Sequence, residues 1–154
     1  MTNNDVIRSV RYILNISDQK LAEIFKLADL EVPVVDIKDF LLDEEDSNYL
    51  RCDDETMAYF LDGLIYFKRG KDESRPKTPF ELPMTNNNIL KKLRVAFALK
   101  EDDMHAMFEL AGFQIGRAEL TAMLRKNDHP NYRIAGDQIV RYLLKGLTIK
   151  IRKP

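Results

Sequence analysis

Apolar residues recur along the first 70 positions of this chain with the spacing of amphipathic helices. The polar start "MTNN" precedes a run of helically spaced apolar residues: Val6, Ile7, Val10, Ile13 and Leu14. Thr2 or an Asn fits the N-cap of this helix, and Asp5 stands where a capping box needs it. A second apolar stripe predicts a helix near residues 18–29, and a third, shorter helix is predicted near residues 34–42.

A polar loop, "DEEDSNYLRCDD", separates the third helix from a fourth. Asp54 is predicted to be the N-cap or a first-turn acid of this fourth helix, because a carboxylate is favourable at a helix N-terminus. Two alternatives remain open at Gly63. Either the helix continues through the glycine, which we favour, or it ends there and residues 64–69 form a short strand.

The same pattern occurs a second time. A shift of 83 positions aligns residues 1–70 with 84–153 without a gap, and 17 aligned positions are identical. Composition alone predicts about four or five identities over such a span. The identities include all of "MTNN", which therefore marks the start of a helix in each copy. Between the copies, "GKDESRPKTPFELP" contains three prolines and reads as a stiffened, exposed linker.

We therefore predict an all-α fold made of two tandem, pseudo-symmetric helical units of about four helices each. Residues 1–70 form the first unit, residues 71–83 the proline-containing linker and residues 84–154 the second unit. In the second unit the third helix is expected near residues 117–125, and Asp137 opens the fourth helix. The alternation in "LTIKIR" leaves the same choice between helix and strand at residues 147–152.

Composition narrows the class of protein. With 45% apolar and 32% charged residues, the chain is typical of a globular protein. No run approaches the roughly 20 apolar residues of a membrane helix, and the N-terminal stretch lacks the apolar core of a signal peptide. The single cysteine, Cys52, excludes an internal disulfide. A cytoplasmic protein without membrane association is the expectation.

Several longer motifs carry a family resemblance: "LADLEVP", "DFLLDEED", "LAGFQIGRAELTAMLRK", and "FLDGL" with its counterpart "LLKGL". Together with the doubled "MTNN", they resemble the YehS-like family of bacterial conserved hypothetical proteins, which is built from a tandem-duplicated domain of unknown function. The resemblance covers essentially the whole chain. It implies a bacterial cytoplasmic protein, and it implies no activity, cofactor or catalytic residue.

The two copies have opposite charge. Residues 1–70 contain 8 Lys/Arg and 15 Asp/Glu, whereas residues 84–154 contain 13 Lys/Arg and 7 Asp/Glu. One interpretation is that the acidic and basic halves attract each other, within one chain or between two self-associating chains. A second interpretation is that the basic copy binds nucleic acid. The candidate residues for such binding are Arg117, Arg125, Lys126, Arg141 and Lys145.

The order helix, short turn, helix in each copy is compatible with a helix-turn-helix, but the sequence argues against one. Familiar examples place a small residue in the first helix and a glycine at the turn four residues later, whereas Ala111 and Gly112 are adjacent. The first copy would also repel phosphate with its acidic run, residues 43–46. A structural three-helix unit is the preferred interpretation, and any nucleic-acid contact is expected to involve the phosphate backbone.

Polar residues shared by both copies are the remaining candidates for a ligand site. They are Arg11, Asn48, Tyr49 and Asp54, with their counterparts Arg94, Asn131, Tyr132 and Asp137. These side chains could converge on a ligand, but Asn-Tyr shaping a loop and Asp starting a helix explain the same pattern. The two histidines lack partners at metal-binding spacing, so we expect no metal and no cofactor.

The sequence thus favours a non-enzymatic binding or regulatory protein that contacts an unknown protein partner. Nucleic-acid binding through the basic copy is the alternative. Binding of a small molecule, or catalysis, at the junction of the two copies is a more distant alternative.

Overall fold

The computed structural model describes residues 1–77 and 79–152, and its regular elements over those residues are eight α-helices. The helices are α1 (Asn3–Leu14), α2 (Asp18–Leu27), α3 (Val34–Phe40), α4 (Asp54–Arg69), α5 (Asn86–Ala96), α6 (Glu101–Leu110), α7 (Arg117–Leu124) and α8 (Asp137–Arg152). The predicted all-α fold with two tandem units of four helices is confirmed. The chain divides into unit 1, Met1–Met84, and unit 2, Thr85–Pro154.

The predicted helix starts are found at both copies of "MTNN". The Thr2 hydroxyl accepts a hydrogen bond from the Asp5 backbone N–H, and the Asp5 carboxylate accepts one from the Thr2 N–H, which completes the capping box. At α5 the Thr85 hydroxyl accepts the corresponding hydrogen bond from the N–H of Asn88. At α4 the N-cap is Asp53, so Asp54 is the first-turn acid.

Both long helices continue through their glycine, which confirms helix continuation and rules out strands at residues 64–69 and 147–152. The reason is close packing between helices. A Cβ atom on Gly63 would lie 2.1 Å from the carbonyl oxygen of Ile24, and one on Gly146 would lie 2.0 Å from that of Met107. Glycine therefore lets α4 touch the backbone of α2, and lets α8 touch the backbone of α6.

Apolar side chains fill the space around these crossings. In unit 1, the ring of Phe25 packs against Phe60 at 5.4 Å and against Phe40 at 6.3 Å between centroids. In unit 2, Phe108 and Met104 are fully buried at the corresponding place. Helices α2, α3 and α4 thus share one core, and helices α5 to α8 share another.

The second asparagine of each "MTNN" is buried and fully hydrogen-bonded. Asn4 is 0% exposed; its Nδ2 donates to the carbonyls of Phe40 and Leu50, and its Oδ1 accepts from the N–H of Cys52. Asn87 is 2% exposed and repeats all three bonds with backbone groups of its own unit: Met123, Arg133 and Ala135. Each asparagine therefore fixes the long loop that precedes the fourth helix.

The first asparagine of each "MTNN" ties the start of the fourth helix to the start of the first. Asn3 Nδ2 donates to the carbonyl of Cys52 at 3.1 Å and to Asp54 Oδ1 at 3.0 Å. Asn86 makes the same two bonds to Ala135 and Asp137. The "MTNN" motif thus caps the first helix of each unit and also anchors the start of the fourth helix. The sequence predicts only the first of these two roles.

Replacing the crossing glycines tests the packing. We expect Gly63→Ala and Gly146→Ala each to destabilise the protein by about 3 kcal/mol, because the new methyl group meets backbone that cannot move aside. Gly136→Ala is the matched control, since its Cβ meets only the end of the flexible Gln138 side chain. Urea unfolding followed by far-ultraviolet circular dichroism measures the difference. Equal stability of Gly146→Ala and Gly136→Ala would contradict the close crossing.

Replacing the buried asparagine tests the loop anchor. We expect Asn4→Ala to lower the free energy of unfolding by about 3 kcal/mol, because two carbonyls and one N–H lose their partner inside the protein. Asn48→Ala, at an exposed site, should stay within about 0.5 kcal/mol of the parent. The same urea titration compares the two variants. A loss smaller than about 1 kcal/mol for Asn4→Ala would contradict the anchor.

Candidate functional site

The Asn-Tyr pair of each unit lies in an exposed turn. The backbone N–H of Asn48 donates to Asp46 Oδ1 at 2.9 Å, and that of Asn131 donates to His129 Nδ1 at 3.0 Å. Both asparagine side chains are exposed, and the tyrosines that follow, Tyr49 and Tyr132, are half-buried. The pair shapes the turn, as the structural interpretation of the sequence predicts, and neither tyrosine is fully buried.

The shared arginines, Arg11 and Arg94, hold the connection between the first and second helices. Arg11 Nε lies 3.2 Å from Asp18 Oδ1, close enough for an ion pair although the two atoms are not aligned for a hydrogen bond. Arg94 Nε donates to the carbonyl of Leu99 at 3.1 Å. Each arginine thus contacts the segment where its second helix begins.

The shared acids, Asp54 and Asp137, contact the "MTNN" asparagines, as described above. Asp54 has a further contact, since its Oδ2 accepts a hydrogen bond from the N–H of Met84 at the end of the linker. In each unit the shared polar residues therefore make their contacts at three separate places: the turn before the fourth helix, the start of the second helix and the start of the fourth helix. A common ligand site built from them stays a prediction.

Three of the proposed nucleic-acid residues lie on or near α7, and one of them, Arg117, is paired with an acid. Arg117 forms an ion pair with Asp102, and the nearby Thr121 donates to Glu101. Arg125 follows the last residue of α7 and is half-buried, and the adjacent Lys126 is exposed. The helix that would enter a groove therefore has a cation paired with an acid of its own unit.

The other two nucleic-acid candidates, Arg141 and Lys145, lie one turn apart on α8. Both are exposed, so they present two positive charges on one side of that helix. The Lys145 ammonium also lies 5.8 Å from the ring centroid of Tyr142. Helices α5 and α6 pack against both α7 and α8.

The histidines and the cysteine have local partners. His105 Nε2 lies 2.9 Å from the carbonyl oxygen of Ile115, and His129 accepts the turn hydrogen bond described above. Burial raises the pKa of the Cys52 thiol to about 12, with added repulsion from Asp53 and Asp54, so this thiol is not a ready nucleophile. Over the described ranges, 1–77 and 79–152, no three His, Cys, Asp or Glu residues are grouped to hold a metal ion.

The linker of unit 1 and the helices α2 and α4 enclose a cleft that neither the repeat nor the charge pattern predicts. The cleft has a volume of about 210 Å³. Its walls come from the end of α2, one side of α4 and the linker: Ala28, Tyr59, Asp62, Tyr66, Lys77, Pro79 and Phe80. The Phe80 ring meets the Tyr59 ring edge-on, with 4.8 Å between centroids. We call it the α2–α4 cleft.

Charged groups fasten the linker beside the α2–α4 cleft. Lys71 Nζ donates to the carbonyl of Leu27 at 2.9 Å, and Lys77 Nζ donates to the Asp29 carboxylate. The bond from Lys77, assisted by the charge of Lys71, holds the pKa of Asp29 below its usual value. The same bond raises the pKa of Lys77. The linker is therefore attached at several points, including Met84 at its far end.

Unit 2 carries an equivalent surface, which we call the α6–α8 face. By the repeat alignment, its residues Ala111, Tyr142, Lys145 and Ile149 correspond to Ala28, Tyr59, Asp62 and Tyr66. Phe113 stacks on Tyr142 with 4.6 Å between centroids and 15° between ring planes. Ile149 is 38% exposed, and Leu110, at the end of α6, is 45% exposed.

The sequence did carry a signal for these two surfaces. Tyr59 and Tyr142 are an identical pair at aligned positions, and Phe80 is an aromatic residue within an otherwise polar, proline-rich segment. A buried partner for Phe80 could have been inferred from that contrast. Phe80 contacts Tyr59 because the linker folds back against α4. Local sequence patterns do not encode the path of the linker.

Comparison with known proteins identifies relatives of this chain. Residues 3–70 and 86–153 each match the family described as "Protein of unknown function (DUF1456)". The chain is 45% identical to the "Uncharacterized protein YehS" of Escherichia coli (strain K12) over 150 residues, which is 97% of this chain and 96% of that protein. No solved structure matches the chain. Among the described residues, no helix is long and apolar enough to cross a membrane.

The predicted resemblance is thus confirmed, and its two matches coincide with the two copies of "MTNN" and the helices that follow them. The chain belongs to the YehS-like family of unknown function, whose domain it contains twice.

Proposed function

We propose that this protein is a non-catalytic binding protein that recognises a protein partner through the α6–α8 face of unit 2. One observation carries the proposal. In unit 1 the chain's own linker packs on the equivalent surface of α2 and α4, with Phe80 on Tyr59 and Lys71 on the carbonyl of Leu27. Within unit 2, by contrast, Ile149 and Leu110 remain exposed. A surface that binds a peptide segment in one copy is a natural binding surface in the other.

The chemistry of the α6–α8 face supports this proposal. The stacked rings of Phe113 and Tyr142 offer a rigid aromatic contact, and Ile149 extends it with apolar area. Lys145 adds a positive charge at its edge. Aromatic and aliphatic residues beside one charge are typical of protein-binding surfaces, in which a few anchors supply most of the binding energy.

The contacts of the shared polar residues make catalysis less well supported. In both units the asparagines of "MTNN" and the aspartate that starts the fourth helix bond to each other or to backbone groups. The only cysteine is buried, with a pKa raised to about 12. These contacts do not place a nucleophile beside a general base, which is the arrangement that covalent catalysis requires.

Nucleic-acid binding is also less well supported than protein binding. Arg117 on α7 pairs with Asp102, which reduces the charge available for phosphate. Arg141 and Lys145 remain the stronger pair for a polyanion, but two cations contribute little of the phosphate neutralisation on which such binding depends. Their position beside Tyr142 fits an acidic protein segment equally well.

Site-specific photo-cross-linking tests the proposed function. The photoreactive amino acid p-benzoylphenylalanine replaces Ile149 in the full chain, which is expressed in its native cell and irradiated. We expect a covalent adduct with one protein that mass spectrometry identifies, because the probe lies on the binding surface. The matched control places the same amino acid at Glu44, an exposed position in the acidic run of unit 1.

The charge of Lys145 provides the second control. Lys145→Glu in the chain that carries the probe at position 149 should reduce the adduct about tenfold, because the charge at the edge of the face is reversed. Circular dichroism confirms that this variant is folded. Absence of an adduct at position 149, or the same adducts from positions 149 and 44, would contradict the proposed function.

A further inference from the structure

We infer that the element bound by the α6–α8 face is an extended, acidic segment of the partner that carries a phenylalanine next to a proline. This inference rests on the proposed function and specifies the chemistry of the occupant. Its basis is the linker of unit 1, which shows what the equivalent surface holds. The differences between the two surfaces then show how the occupant must differ.

In unit 1 the linker contacts the surface of α2 and α4 through one aromatic ring and two lysines. Phe80, next to Pro79, packs edge-on against Tyr59 and forms part of the wall of the α2–α4 cleft. Lys77 bonds to the carboxylate of Asp29. Lys71 lies 5.3 Å from the ring centroid of Tyr66. An aromatic contact and two positive charges therefore attach this segment to the surface of α2 and α4.

The aromatic half of this recognition is kept in unit 2. Tyr142 stands at the position of Tyr59, and Ala111 at that of Ala28. Phe113 stacks on Tyr142 and fixes the orientation of its ring. A phenylalanine of the partner can pack on the part of the Tyr142 and Phe113 rings that is still exposed. The proline next to that phenylalanine keeps the segment extended at low entropic cost.

The charged residues of the surface in unit 1 are replaced in unit 2 by neutral or oppositely charged residues. Gly112 replaces Asp29, so the acid that holds Lys77 is missing, and Lys145 replaces Asp62. Ile149 replaces Tyr66, which removes the ring that attracts Lys71. Lysines in the occupant would now face Lys145 and nearby Arg141, whereas carboxylates would be attracted. The occupant of unit 2 is therefore acidic at the positions where the linker is basic.

Labelled peptides test this inference directly. The acidic probe is a fluorescein-labelled peptide with the sequence of residues 71–83 and the changes Lys71→Glu and Lys77→Glu. The native probe has the unchanged sequence. Fluorescence anisotropy with the full chain should show the acidic probe binding at least about tenfold more tightly than the native probe. In unit 1 the attached linker competes at high effective concentration, so the probes report on unit 2.

Matched variants separate recognition from general attraction between charges. Phe80→Ala in the acidic probe keeps its charge and should weaken binding about tenfold, because the ring contact is lost. Lys145→Glu in the protein should weaken the acidic probe about tenfold and strengthen the native probe. Lys150→Glu makes the same charge change on another side of α8 and should have little effect.

Each other outcome would overturn the inference. Equal loss with Lys145→Glu and Lys150→Glu would mean non-specific attraction to a basic surface. Tighter binding of the native probe would point to the linker of a second copy as the occupant. If the acidic probe does not bind but the cross-linked adduct at position 149 is still formed, the inferred chemistry of the occupant is wrong and the proposed function stands. Loss of both signals would overturn the proposed function as well.

Discussion

The contact between a glycine of the fourth helix and a backbone carbonyl of the second is the constraint on which each unit depends. Gly63 against Ile24, and Gly146 against Met107, bring two helix backbones closer than any side chain would allow. The apolar side chains around these crossings form the two cores. The α2–α4 cleft and the α6–α8 face lie along the same helix pairs, so their geometry follows from the glycines.

Much of this architecture follows from the sequence. The helical spacing of apolar residues, the Thr2 cap and the duplication predict eight helices in two units, because these signals are local or repeated. The sequence pattern does not predict the role of Asn4 as a buried anchor of the loop. That role depends on hydrogen bonds to three backbone groups 36 to 48 residues away, which no local pattern contains. The attachment of the linker is missed for the same reason, because Lys71 and Phe80 bind residues distant in sequence.

Duplication explains how one fold can present two different surfaces. The residues that build the unit are kept in both copies: the "MTNN" asparagines, the acids that they bind and the crossing glycines. The residues that face outward from the same helices have diverged, as Asp62 and Lys145 show. The opposite charge of the two copies therefore has a structural counterpart, since the surface of unit 1 holds a segment with lysines, and the proposed occupant of the surface of unit 2 is acidic.

Attachment of the linker to α2 and α4 is the contact from which the binding surface of unit 2 is inferred, and cleavage by chymotrypsin after Phe80 tests it most directly. The native chain should resist cleavage there, because Phe80 packs on Tyr59. Asp29→Asn should accelerate it at least about fivefold, because Lys77 loses its charged partner. Glu31→Gln, a neighbouring acid paired with Lys26, should leave the rate unchanged. Rapid cleavage of the native chain, unaffected by Asp29→Asn, would contradict the attachment of the linker to α2 and α4.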